Sequence, residues 1–266
     1  MPTLDENIRT WGTNWDWSTQ GEEWSRWWGD TPAFWHGVIL PRIHALVPAG
    51  RILEIAPGYG RWTQYLKDLC DELVIVDLTE KCIANCRERF GEATNIEYHI
   101  NDGRSLDMID DESLDFVFSF DSLVHADSDV IGGYLLQLTK KLRPDGVGFI
   151  HHSNAGALRK LTSLTRRVPE RFYGRMVNRG LAVHLGAWRD EGMSAALFRE
   201  QCQAAGLSCV SQELVSWEHG GYLLDSFSMF AASGSRWDRK TQMVRNPLFV
   251  AEARRMARLY AGSSFS

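Results

Sequence analysis

No apolar run in this 266-residue chain approaches the roughly 20 residues needed to span a bilayer, which excludes a transmembrane helix of ordinary kind. Cysteine is scarce and unpatterned. Cys70, Cys82, Cys86, Cys202 and Cys209 are odd in number and lack framework spacing, so they read as reduced, buried thiols, with Cys82 and Cys86 on one helical face. Neither sign of charge dominates: 29 Lys and Arg stand against 34 Asp and Glu, a net charge of −5. That balance gives no electrostatic case for a nucleic-acid or anionic-membrane partner. Met1-Pro-Thr-Leu-Asp-Glu-Asn7 shows no basic region followed by an apolar core, so no signal peptide is expected and the expected location is cytoplasmic. Internal repeats and low-complexity segments are absent too.

Tryptophan is abundant instead. Seven of the 11 tryptophans fall before residue 49: Trp11, Trp15, Trp17, Trp24, Trp27, Trp28 and Trp35. This leader, residues 1–48, is expected to form an aromatic cap, with a helix from Thr31-Pro32 to His44 kinked or broken at Pro41. The composition, 44% hydrophobic, supports a real core. From residue 51 onward apolar strands alternate with helices. Strands are expected at 51–55, 73–77, 96–100, 114–120 and 146–152, and helices at 61–70, 79–90 and 128–142. Alternation of this kind implies a parallel sheet with helices on both faces. Leu142-Arg-Pro-Asp-Gly146 reads as a turn. Residues 154–192 break the rhythm and read as a basic helical insertion or lid. A helix at 194–205 and strands at 208–217 and 223–232 follow, the strands meeting in a hairpin near His219-Gly-Gly221. The expected division is a cap (1–48), a main domain (49–235), and a C-terminal helix and tail (236–266).

Ligands of open α/β sheets bind at the carboxyl ends of the strands. At the first such end stands Glu54-Ile-Ala-Pro-Gly-Tyr-Gly-Arg-Trp-Thr63, and Asp77-Leu78 ends the second strand. A dinucleotide fingerprint needs a third glycine in the helix, and none is present, which disfavours a nicotinamide-dependent oxidoreductase. The pattern resembles motif I of the class I S-adenosylmethionine (SAM) methyltransferases. The resemblance implies a Rossmann-like α/β fold, a mostly parallel seven-stranded sheet with an antiparallel C-terminal strand. It also implies that Ala56, Pro57, Gly58 and Gly60 let the backbone approach SAM closely. Glu54 would attract the cofactor's ammonium or else brace the glycine turn. Trp62 and Thr63, with Arg61, open the next helix within reach of the carboxylate. Asp77 would accept from the ribose hydroxyls. Asn101-Asp102-Gly103 follows the third strand, where Asp102 would accept from the adenine amino group and Gly103 would make the turn. Phe120 would pack on the cofactor or remain in the core.

Methyl transfer from a sulfonium is an in-line displacement; for an alcohol acceptor the protein must align the oxygen and remove its proton. Histidine is the usual base near neutral pH. His125 in Ser119-Phe-Asp-Ser-Leu-Val-His125 and the pair His151-His152 in His151-His-Ser-Asn154 sit near one sheet edge. Strand alternation sends His151 and His152 to opposite faces, so His125 and His152 stand as alternative bases, with Asp121 beside them. His151, Asn154 and one or two tryptophans such as Trp28 are candidate acceptor contacts. Asp121 and Asp127 could hold a Mg²⁺ ion, or they could cap helices and hold histidines.

Trp11 to Trp28, Glu54 to Thr63, Asn101-Asp-Gly103, Phe118 to His125 and Phe149 to Asn154 together resemble bacterial sugar O-methyltransferases of glycan biosynthesis, of the mycobacterial methylmannose-polysaccharide type. This resemblance implies a small-molecule or oligosaccharide acceptor and leaves room for a homodimer. Two alternatives stay open: methylation of a phenolic or polyketide product, and a non-catalytic SAM-binding protein.

Overall fold

The structure is a computed structural model that describes residues 4–184, 188–217 and 221–260. Eight strands form one sheet: β1 (Ala49–Ile55), β2 (Cys70–Asp77), β3 (Ile96–Ile100), β4 (Leu114–Ser119), β5 (Leu142–Ser153), β6 (Leu207–Val215), β7 (Asp225–Ala232) and β8 (Gln242–Asn246). Their order across the sheet is β3-β2-β1-β4-β5-β7-β6-β8. β7 alone runs antiparallel, inserted between β5 and β6. The connection from β6 to β7 includes His219 and Gly220, which lie outside the described residues.

The central strands are apolar on both faces because both faces are covered. Ile52, Ile75, Phe118 and Phe149 point into one layer. Leu53, Val74, Val117 and Ile150, one position along, point into the other. Helices Ser128–Lys141 and Ala195–Ala204 close the second layer through Ile131, Leu135, Leu138 and Phe198. The leader closes the first through Trp28, Phe34, Trp35, Ile39 and Ile43, joined by Phe249 and Val250 of helix Phe249–Tyr260.

Residues 31–43 are helical throughout. Asp30 caps them, its carboxylate accepting from the Ala33 N–H at 2.7 Å. The break expected at Pro41 takes the form of a π-helical stretch, Trp35–Ile39, just before it. Proline brings no N–H and crowds the preceding turn, and a wider turn relieves both.

Three expectations need correction. The sheet has eight strands, not seven, because Gln242–Asn246 pairs in parallel with β6 inside the region expected to hold only a helix and tail. That edge strand is almost wholly exposed, so it carries no apolar alternation to announce it. Residues 142–146 belong to β5, although the ladder jumps from Leu114↔Leu142 to Phe116↔Val147, leaving residues 143–146 bulged opposite Asp115. The helix expected at 61–70 is shortened to Thr63–Leu66, with turns on either side.

Gly60 is the glycine of motif I that packing most requires. Its φ is +80°, and a Cβ there would stand 2.4 Å from the Phe90 ring. Gly60→Ala should therefore destabilise the fold by about 1–3 kcal/mol, combining overpacking with left-handed strain. Urea unfolding monitored by circular dichroism would measure it, and an unchanged midpoint would refute this account.

Candidate active site

The glycine turn leaves β1 through residues that adopt left-handed backbone. Ala56 has φ +59° and Gly58 φ +59°. The Ser122 hydroxyl donates to the Ala56 carbonyl at 2.7 Å and ties the turn to the segment after β4. Asp77, ending β2, accepts from the Gly58 N–H at 3.2 Å and from the Thr79 N–H at 2.9 Å. Burial raises the Asp77 carboxyl to about 6 against these hydrogen bonds. Glu54 is deeper. It accepts from the Thr63 hydroxyl at 2.5 Å, and burial pushes it up to about 8.

Above this turn lies a cavity of about 890 Å³, within the range of ligand sites. Ala56, Pro57, Gly58, Asp77, Leu78, Asn101, Gly103 and Tyr134 line one end, and Phe120 lines the wall near Trp217. The indole of Trp17 covers the turn: it stacks on Tyr59 at 4.4 Å, and a Cβ on Gly58 would meet it at 3.0 Å. The Asp77 carboxylate thus stands beside the turn and the Trp17 indole roofs it. These residues fit a SAM-type cofactor.

Arg61, Asp121, His125, Trp188, Arg189 and Trp217 line the other end, with Trp11, Trp15 and Trp24 from the leader. Asp121 sits in left-handed backbone, φ +65°, and its carboxylate binds Arg61 at 2.7 Å. The Arg61 guanidinium lies over Trp62 at 4.4 Å and Trp24 at 5.3 Å, so this cation is held by one carboxylate and two ring faces. His125 Nδ1 is 2.6 Å from the Trp188 carbonyl. A carbonyl only accepts, so Nδ1 carries the proton and Nε2 is left with its lone pair. Burial, reinforced by Arg189, lowers His125 to about 4, and the ring is neutral at physiological pH.

Behind this end lies a buried charge cluster. Arg189 donates to both Asp225 oxygens, at 2.7 and 2.9 Å, and His151 Nε2 stands 3.3 Å from Asp225. His151 Nδ1 accepts the Asp121 N–H at 3.1 Å. Burial alone would raise Asp225, but Arg189 and then His151 override it and hold the carboxyl below its ordinary range.

Several sequence candidates lie elsewhere. His152 faces the opposite layer, fully buried, stacked on Phe198 at 4.4 Å, with Nδ1 on the Ser153 carbonyl and Nε2 on the Ser228 hydroxyl, both at 2.8 Å. Burial lowers it to about 4, and it does not line the cavity. Strand alternation does separate the pair, yet His151 also stays behind the cavity wall. Asn154 is buried, bonding the Leu223 carbonyl and the Ala195 N–H. Trp28 is buried against Phe34 at 3.9 Å. Asp102 braces its own turn by accepting from the Arg104 and Ser105 N–H groups, and Asn101 and Gly103 face the cavity in its place. Glu54, Gly60 and Thr63 shape the turn from beneath without reaching the cavity wall. The residues do not fit a Mg²⁺ site: Asp121 holds Arg61, Asp127 caps helix Ser128–Lys141 through the Val130 N–H, and no cluster of three ligating side chains suits a metal ion among the described residues. Trp188, Arg189, Trp217, Tyr134 and Asp225 escaped the sequence reading. The one signal for them was Asp225, the only charge in the strand that it opens.

Strand order, the glycine turn and the carboxylate after β2 resemble those of class I SAM-dependent methyltransferases. Residues 52–146 match a family model described as a methyltransferase domain. Ribosomal RNA small subunit methyltransferase A of Synechococcus elongatus is 47% identical over 60 residues, 21% of this chain and 22% of that protein. Phosphoethanolamine N-methyltransferase 1 of Triticum aestivum is 30% identical over 142 residues, 50% of this chain and 28% of that protein. The chain thus spans about a quarter of the length of these curated relatives. Among solved structures, the PH0226 protein from Pyrococcus horikoshii OT3 superposes with a TM-score of 0.55 at 18% identity, covering 85% of this chain and 96% of that one. A DhpI–SAH complex gives 0.53 at 18% identity, covering 88% and 98%. These structural likenesses are likenesses of fold.

Proposed function

We propose that the chain is a SAM-dependent O-methyltransferase acting on a hydroxyl of a sugar or oligosaccharide, with His125 as general base. The observation that carries this reading is the 2.6 Å contact between His125 Nδ1 and the Trp188 carbonyl, which leaves a neutral imidazole with its Nε2 lone pair at the cavity. SAM would supply a methyl carbon already activated by its sulfonium leaving group. Asp77 would accept from the ribose hydroxyls, and Gly58 would admit the backbone close to the methionine part. His125 Nε2 would take the acceptor's hydroxyl proton as its oxygen bonds to the methyl carbon and the carbon–sulfur bond breaks, releasing S-adenosylhomocysteine (SAH). Trp11, Trp15, Trp24 and Trp188 give this end of the cavity flat faces suited to sugar C–H groups, and Asn7, Gln20 and Glu23 add polar edges for hydroxyls. The same indoles would stack on a phenolic ring, so a polyketide or phenol is the second reading.

Calorimetric titration is the first test. SAM and SAH should bind and NAD should not. Asp77→Asn should weaken SAH by about tenfold or more, the scale of hydrogen bonds to a charged group. Folded protein that binds neither SAM nor SAH would end this reading. An acceptor panel of methyl glycosides and phenols then separates the two substrate classes.

A further inference from the structure

The helical insertion carries a surface that the site does not use. Between Arg159 and Arg179 the sequence places seven Lys and Arg against a single acidic residue, Glu170, in a chain whose net charge is −5. Helices Arg159–Thr165 and Glu170–Asn178 hold most of it, and the second buries no residue at all. Arg171, Arg175 and Arg179 recur every fourth residue, which lines them along one stripe, and Phe172 and Met176 form the adjacent one. Large apolar side chains stand out beside the cations: Leu164 is 61% exposed, Phe172 45% and Leu181 62%. An ordinary solvated helix has no use for such side chains on its outer face. A soluble polyanion would engage the arginines and leave these residues in water. An anionic bilayer surface suits both halves, with phosphates meeting the guanidiniums and the apolar groups entering the headgroup boundary. The surface also adjoins the site, because Val177 and Asn178 at the end of the second helix line the cavity. No helix among the described residues is long and apolar enough to cross a membrane, so the contact would be peripheral.

We propose that residues 159–181 form an interfacial anchor that seats the protein on an anionic lipid surface, with the cavity mouth beside the headgroups. The inference stands apart from the assignment of the methyl acceptor. Its test is co-sedimentation with vesicles of phosphatidylcholine alone and of equal parts phosphatidylcholine and phosphatidylglycerol. The full chain should pellet with the anionic vesicles, and added salt should release it. Arg171→Gln with Arg175→Gln should reduce partitioning by about 25-fold, at roughly fivefold per arginine. Phe172→Ser should reduce it by about tenfold. All three side chains are exposed, so melting temperature and SAH affinity should not change, which separates a lost anchor from a lost fold. Failure to bind anionic vesicles would overturn the proposal, as would binding that survives these substitutions. Retention on heparin with no vesicle binding would make the surface a polyanion site instead.

Discussion

Replacing His125 with glutamine should slow methyl transfer by about 10²- to 10⁴-fold while leaving SAH affinity near that of the parent protein. Glutamine can still donate to the Trp188 carbonyl, so the substitution removes the base and keeps the contact that holds the segment. The pH profile supplies an independent check. A base works only when unprotonated, and burial has moved His125 down to about 4. The acid limb of the single-turnover rate should therefore fall near that value, well below the ordinary histidine range, and should vanish in the variant. His152→Ala gives the contrast. Its ring lies in the opposite layer against Phe198, so the change should lower the melting temperature and spare the rate per folded molecule. A His125→Gln enzyme that turns over at the parent rate would remove His125 from the mechanism.

Asp225→Ala should be the most destabilising single change in the molecule's polar interior, costing about 3–5 kcal/mol in chemical denaturation. The reason is what it leaves behind: Arg189, its side chain 9% exposed, would keep its charge and lose both hydrogen-bonded oxygens. The pH dependence has a definite sign. The folded carboxyl titrates below the ordinary aspartate range, so its stabilisation is complete above that range and is lost as pH falls through the folded pKa. Asp225→Ala should accordingly flatten the acid end of the stability curve. A loss under about 1 kcal/mol would mean the cluster contributes no more than an exposed ion pair.

The part of the site that could be read in advance is the part made by consecutive residues. Gly58 and Asp77 come from one strand–turn–helix–strand unit, and local chain direction is enough to bring them together. The reacting end is assembled otherwise. Trp188 and Arg189 arrive from the insertion, Asp225 from the antiparallel strand and Trp11 from the leader, so their meeting depends on tertiary packing that no spacing encodes. The choice between His125 and His152 shows the same limit: alternation separates His151 from His152 but does not say which layer holds the cavity. β8 was invisible because an exposed edge strand needs no apolar pattern. Whole-chain charge carries no information on the basic insertion, because a balance of −5 averages it with acidic segments elsewhere.

The leader supplies wall as well as cover, since Leu4, Asn7, Trp11 and Trp17 all face the cavity. Occupancy of the cavity and docking of the first residues are therefore one coupled equilibrium. A ligand that touches those side chains binds the docked leader in preference to the undocked one and shifts it by mass action. Reciprocity then requires that docking of the leader strengthens the ligand by the same factor by which the ligand strengthens docking. Some of the affinity thus resides in a segment that contributes no strand to the sheet.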